Sequence, residues 1–184
     1  MVYLFLAEGF EEVEALTPVD LLRRAGIELV TVGVGSRTVK GAHGISVCAD
    51  ISEDEALSTL EKGESADAVI LPGGMPGTLN LEASETVSRF IEKAQKSGAV
   101  IAAICAAPSI LGKRGLLREK RAVCYPGFED ALEGAEIVDC GVVRDGRYIC
   151  GRAAGSALPF ALEIIKAMKG EEAAEAVRRS VIAP

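Results

Sequence analysis

The sequence predicts an α/β fold in which a mostly parallel sheet is covered by helices on both faces. Short apolar runs at residues 2–6, 28–34, 68–71 and 99–104 are separated by longer segments with helical spacing. Strands buried on both faces read as continuous apolar runs, so this alternation points to a parallel sheet. Further on, residues 141–143 and 148–150 flank Arg144-Asp145-Gly146-Arg147, where Asp-Gly marks a two-residue turn and adds a small β-hairpin.

The helices follow in order. The first is expected over residues 11–25, with Gly26 supplying a left-handed stop. A second, over 84–96, has Ser84 as its cap, Val87, Phe90 and Ile91 as its apolar face, and Gly98 at its end. After the strand at 99–104, Pro108 suits the first turn of another helix. Residues 155–168 and 171–181 close the chain as two helices split at Gly170. Neither a repeat nor a linker interrupts the 184 residues, so residues 1–184 are expected to form one domain.

Composition narrows the function classes. Net charge is −7 with no basic cluster beyond pairs such as Arg23-Arg24, which argues against nucleic acid as a primary partner. No apolar run approaches the roughly 20 residues of a membrane span. The short apolar start runs at once into Glu8, Glu11, Glu12 and Glu14, unlike a signal peptide, and a cytoplasmic protein is expected. Five cysteines, at 48, 105, 124, 140 and 150, show no C-x-x-C spacing and an odd count, so free thiols are expected, without a zinc site or a disulfide framework. The single histidine, His43, excludes any mechanism that needs two imidazoles.

In such a sheet, ligands bind beyond the carboxyl ends of the strands. That rule gathers Ala7-Glu8-Gly9, Pro72-Gly73-Gly74 and Cys105 into one crevice. Cys105 stands where a strand turns into a helix among small neighbours (Ala102-Ala103-Ile104-Cys105-Ala106-Ala107-Pro108), the setting of a nucleophile elbow. A buried inert cysteine is the competing reading. A helix start is expected to lower the thiol pKa from roughly 8.5 toward neutrality. The backbone N–H groups of Gly74 and Ala106 could form an oxyanion hole, and the absence of G-x-G-x-x-G spacing argues against a dinucleotide loop. At 100° per residue, Glu14 lines up with Pro18, Leu21, Leu22 and Ala25 on the core side, whereas Glu12 falls opposite and is expected in solvent. A carboxyl facing the core is either neutral or specifically partnered. A protonated Glu14 can donate a hydrogen bond to a thiolate.

Taken together, Gly9-Phe10-Glu11-Glu12-Val13-Glu14, Leu71-Pro72-Gly73-Gly74, the Cys105 segment and Gly151-Arg152-Ala153-Ala154-Gly155-Ser156 resemble the ThiJ/PfpI superfamily. The likeness is greatest to the branch that contains the human parkinsonism-associated deglycase, and it covers nearly the whole chain. The resemblance implies a flavodoxin-like three-layer sandwich and a homodimer packed through the first helix. It further implies a nucleophile at Cys105 that oxidises readily to a sulfinate, Glu14 as its protonated partner, and Gly74 and Ala106 as amide donors. Gly73, Tyr125, Arg152 and Ala154 are expected to line the pocket. Two positions depart from the pattern: Tyr125-Pro126 stands where the human branch has histidine before proline, and Ala154 stands where proline is frequent. His43 occupies a position that is arginine in the human protein and is expected to be exposed or at the dimer interface. Cys48 matches a second family cysteine near that interface.

Two functions compete on these residues. One is an enzyme, needing neither metal nor cofactor, that acts on small aldehydes or glycated substrates, in the manner of glyoxalase III or a deglycase. The other is an oxidative-stress sensor or redox-regulated chaperone that works through oxidised Cys105. A glutaminase would need a late histidine, and none follows His43. The protease-like branch has histidine after its cysteine, where this chain has Ala106.

Overall fold

The computed structural model describes residues 1–184 as a mixed α/β fold. Its elements run β1 (Val2–Leu6), α1 (Glu12–Arg24), β2 (Leu29–Gly33), β3 (Thr38–Lys40), β4 (Ser46–Cys48), β5 (Ile51–Ser52), α2 (Glu53–Glu61), β6 (Ala68–Leu71), α3 (Gly77–Ala83), α4 (Glu85–Ser97), β7 (Val100–Ile104) and α5 (Pro108–Gly112), followed by β8 (Arg121–Ala122), β9 (Glu136–Ile137), β10 (Val142–Asp145), β11 (Tyr148–Gly151), α6 (Ala157–Lys169) and α7 (Glu171–Ser180). The central sheet has seven strands in the order β10-β11-β7-β6-β1-β2-β5. Every neighbouring pair in it is parallel except β10 and β11 at one edge.

Alternate residues of each central strand feed two separate cores, the physical meaning of an uninterrupted apolar strand. Tyr3, Phe5, Val69, Leu71, Ile101 and Ala103 face one core with Phe90 of α4. Val2, Leu4, Leu6, Ile70, Ala102 and Ile104 face the other, under α1 and α6. Phe90 closes the first core by setting its ring 4.6 Å from that of Tyr3 and 5.1 Å from that of Phe5. The caps fall where expected: Ser84 Oγ accepts from the Val87 N–H at 3.2 Å, Gly98 ends α4 with φ 80°, and Gly26 follows α1 with φ 66°.

Several expectations need correction. The edge hairpin is present, but Asp145 pairs with Tyr148, so its two-residue loop is Gly146-Arg147 and not Asp145-Gly146. Gly146 adopts the positive φ at the first loop position. The penultimate helix starts at Ala157, because residues 154–156 form a tighter 3-10 turn. α2 and the β3–β4 hairpin were not expected. The start of α2 is nonetheless legible, since the Ser52 and Glu55 side chains cap each other's backbone N–H groups.

Candidate active site

Two loops at the carboxyl end of the sheet lock together through glycines. The Glu11 N–H donates to Gly73 O at 2.9 Å and the Gly77 N–H to Gly9 O at 3.2 Å. A methyl on Gly74 would lie 2.4 Å from Glu11 N, and one on Gly9 would lie 2.5 Å from Pro76 Cδ. No side chain fits either place, and both glycines have positive φ, which only glycine adopts freely. This junction fixes the start of α1 against the end of β6.

Cys105 follows β7 with φ 66°, a left-handed conformation rare outside glycine and asparagine. The strain is held on both sides. Its N–H donates to Gly151 O at 2.9 Å, and its own carbonyl accepts the Tyr125 N–H at 2.8 Å. Ala106 and Ala107 are buried behind it, leaving the thiol half-buried. The sharp strand-to-helix turn read from the alanines is therefore present as an elbow.

Glu14 reaches this turn from the inner face of α1, among buried Ala15, Pro18, Leu21 and Leu22, and only 1% of it is exposed. Its Oε2 accepts the Gly73 N–H at 2.9 Å, and the carboxyl shares a hydrogen bond with the Cys105 thiol. The N–H groups of Gly74 and Ala106 point at the same sulfur. Gly73 has to be glycine here, since a methyl on it would meet Cys105 Cβ at 2.6 Å and Glu14 Oε2 at 2.7 Å.

Burial pushes the Glu14 carboxyl up to about 7, against the hydrogen bonds from Cys105 and Gly73 and with the help of the Glu11 charge. Burial also raises the Cys105 thiol, to about 12, and a charged Glu14 beside it adds to the rise, while the Gly74 and Ala106 N–H groups oppose it. This corrects the expectation of a thiol acidified by a helix start: α5 has only five residues, and desolvation outweighs so short a helix. The two groups titrate as one pair that loses its first proton near neutrality and its second far above it. Between those steps a single proton lies between oxygen and sulfur. When it sits on Glu14, the sulfur is a thiolate facing that carboxyl and the N–H groups of Gly74 and Ala106.

Glu12 overturns its expected place in solvent, with 5% exposure. The helical angle was right, but residues 41–45 fold over that face. Glu12 Oε1 accepts the N–H groups of His43 at 2.9 Å and Ile45 at 3.3 Å. Its Oε2 meets His43 Nδ1 at 3.0 Å. Burial works against its charge, yet these donors outweigh it and hold the carboxyl below the usual range. The His43 side chain is 69% exposed and also lies 3.4 Å from Glu11 Oε2. Glu11, Glu12 and His43 are the one group of three metal-ligand types with converging atoms. Both Glu12 oxygens are already satisfied by the loop, so the cluster reads as a charged loop anchor and not as a metal centre.

The remaining expected lining residues separate. Tyr125 touches Cys105 through its backbone and leaves its ring largely exposed. Arg152 pairs with Asp139 and borders a cavity of about 240 Å³ that contains Cys124 and Glu129 but not Cys105. Ala154 is half-buried in the 3-10 turn before α6. All five cysteines are free, and Cys48 is exposed on β4. Sequence reasoning missed Glu11 as a neighbour of the pair: it is the extended residue before α1, and its charge reaches Glu14.

The model of the DJ-1/PfpI family matches residues 1–167. The chain belongs to the DJ-1/PfpI family. A solved DJ-1 of Toxoplasma gondii, described as oxidized, superposes with a TM-score of 0.92 at 30% identity, over 99% of this chain and 97% of that one. A glutathione-independent glyoxalase of Caenorhabditis elegans is 31% identical over 90% of this chain and 86% of its own length. A deglycase of Pyrococcus abyssi is 31% identical over 91% of this chain and 99% of its own. No helix of this DJ-1/PfpI chain is long and apolar enough to cross a membrane.

Proposed function

We propose that this chain is a cofactor-independent cysteine enzyme that converts small α-oxoaldehydes such as methylglyoxal to hydroxy acids. The observation that carries the reading is the Cys105 sulfur on its strained elbow, shared between the Glu14 carboxyl and the N–H groups of Gly74 and Ala106. The thiolate adds to the aldehyde carbon, and the new alkoxide forms beside those two N–H groups and takes the Glu14 proton, leaving a carboxylate. Glu14, with a pKa near neutrality, is suited to receive the proton from that carbon and return it to the neighbouring carbonyl carbon. As the adduct's hydroxyl proton passes to the neighbouring carbonyl oxygen, the aldehyde carbon is oxidised to a thioester and the ketone reduced to an alcohol. Water then releases the hydroxy acid and restores the thiol. Glycated amines present the same carbonyl chemistry, and the relatives named as glyoxalase and deglycase support both substrate types.

The assembly belongs to the same reading. Val13 and Ile45 are 50% and 56% exposed, and with Leu16, Leu158 and Val181 they border an open depression of about 730 Å³ along α1. A second copy of the chain, packed through α1, is the proposed occupant.

Methylglyoxal consumption with lactate formation, measured beside Cys105→Ala, tests the activity. Turnover lost in the variant supports it. Equal inactivity of both proteins, with peroxide oxidising Cys105 selectively, would transfer the function to a redox sensor whose sulfinate is held by the same donors. The oxidized state of the Toxoplasma relative favours that second reading.

A further inference from the structure

His43 lies outside the crevice, yet a short run of contacts connects it to the nucleophile. Its Nδ1 is 3.4 Å from Glu11 Oε2. Glu11 is the extended residue just before α1, and its charge reaches Glu14. Its N–H is bound to Gly73 O, and the Gly73 N–H is bound to Glu14, which in turn meets Cys105. The loop cannot drift away from this line, because the backbone N–H groups of His43 and Ile45 are tied to buried Glu12, and the Ala42 N–H donates to Phe10 O at 2.8 Å.

We propose that His43 is a positioning residue for the proton shared by Glu14 and Cys105, acting through Glu11. The charged groups facing His43 are Glu12 and Glu11, both at the start of α1. Those facing Glu14 are Cys105 and Glu11. A negative Glu11 opposes the arrival of a second negative charge beside it on the pair, and a His43 imidazolium holds the Glu11 carboxylate toward the loop and so weakens its field at Glu14. Protonated His43 therefore eases thiolate formation, and loss of its proton makes the thiolate harder to form. Both carboxylates hold the imidazolium, Glu12 first, and raise its pKa. Reactivity of Cys105 then climbs less steeply with pH than a lone thiol's would.

The inference rests on the reactive-thiol part of the reading above and not on aldehyde turnover, so its test is alkylation. The rate of iodoacetamide labelling at Cys105, followed by mass spectrometry of its peptide in the presence of a chelator, is measured from about pH 5 to about pH 9. His43→Lys, which keeps a cation throughout, should move the midpoint down by about 0.3 pH unit, and His43→Ala should move it up by about as much. In a Glu11→Gln background the three midpoints should draw together, leaving only the screened direct field of the exposed cation at position 43. Coincident profiles with Glu11 present would overturn the proposal, as would an undiminished spread in Glu11→Gln. Position 43 is exposed, and thermal melts of both variants confirm that the fold is kept. A protein that turns over no aldehyde yet shows the spread removes the proposed reaction and leaves this inference standing.

Discussion

Glu14 and Cys105 come from opposite halves of the chain and share one hydrogen bond at the carboxyl end of the sheet. Because one proton serves both groups across neutral pH, substitutions can separate holding the sulfur from moving the proton. Glu14→Gln keeps a donor toward sulfur but cannot accept a proton. Iodoacetamide labelling of Cys105 should survive in this variant, whereas methylglyoxal turnover should fall by about 100-fold or more. Equal losses in both assays would show that the carboxyl only holds the thiol.

Gly73→Ala probes the same contact from above. The added methyl would stand 2.6 Å from Cys105 Cβ and 2.7 Å from Glu14 Oε2, so one of the two must move. Destabilisation of about 1–3 kcal/mol is expected from such overpacking, visible as a lower melting temperature, together with loss of turnover. Unchanged melting and activity would contradict the described approach.

The pair also sets a pH dependence of stability. Glu14 titrates near 4.5 when unfolded and at about 7 when folded, so between these values the native state binds more protons than the unfolded one. Stability from this group is fully present below the lower value and is lost as pH rises through the upper one. Urea unfolding of the native protein should show this downward slope, and Glu14→Gln should lack it. Parallel curves would place the carboxyl in a far more open setting.

The α1 face offers a test of assembly. Leu16→Asp puts a charge in the centre of the exposed apolar strip formed with Val13 and Ile45. Size-exclusion chromatography with light scattering should find a dimer for the native chain and a monomer for the variant. A native monomer would remove the second copy from the proposal.

How much the sequence disclosed follows from how local each signal is. Continuous apolar strands, the Ser84 cap and the glycine stops are written within a few residues, and the structure places them as read. The elbow was legible because Ala103, Ala106 and Ala107 are small for a reason that acts at Cys105 itself. Glu12 was misplaced because its environment is made by residues 41–45, some thirty positions away, and helical angle carries no information about a distant loop. The raised thiol failed for a related reason: desolvation depends on the packing of β1, β6 and β7 together, and no run of residues near Cys105 records it. Arg152 was assigned to the Cys105 crevice by likeness, and its side chain is instead drawn to Asp139.

The glycine junction beneath the site has a mechanical meaning. Glu11 is bound to Gly73 and Gly77 to Gly9, with no room between the backbones for so much as a methyl group. Neither loop can swing aside without unmaking the bonds that hold Glu14 in place. The junction therefore works as a rigid joint, fixing the start of α1, and Glu14 with it, against the end of β6.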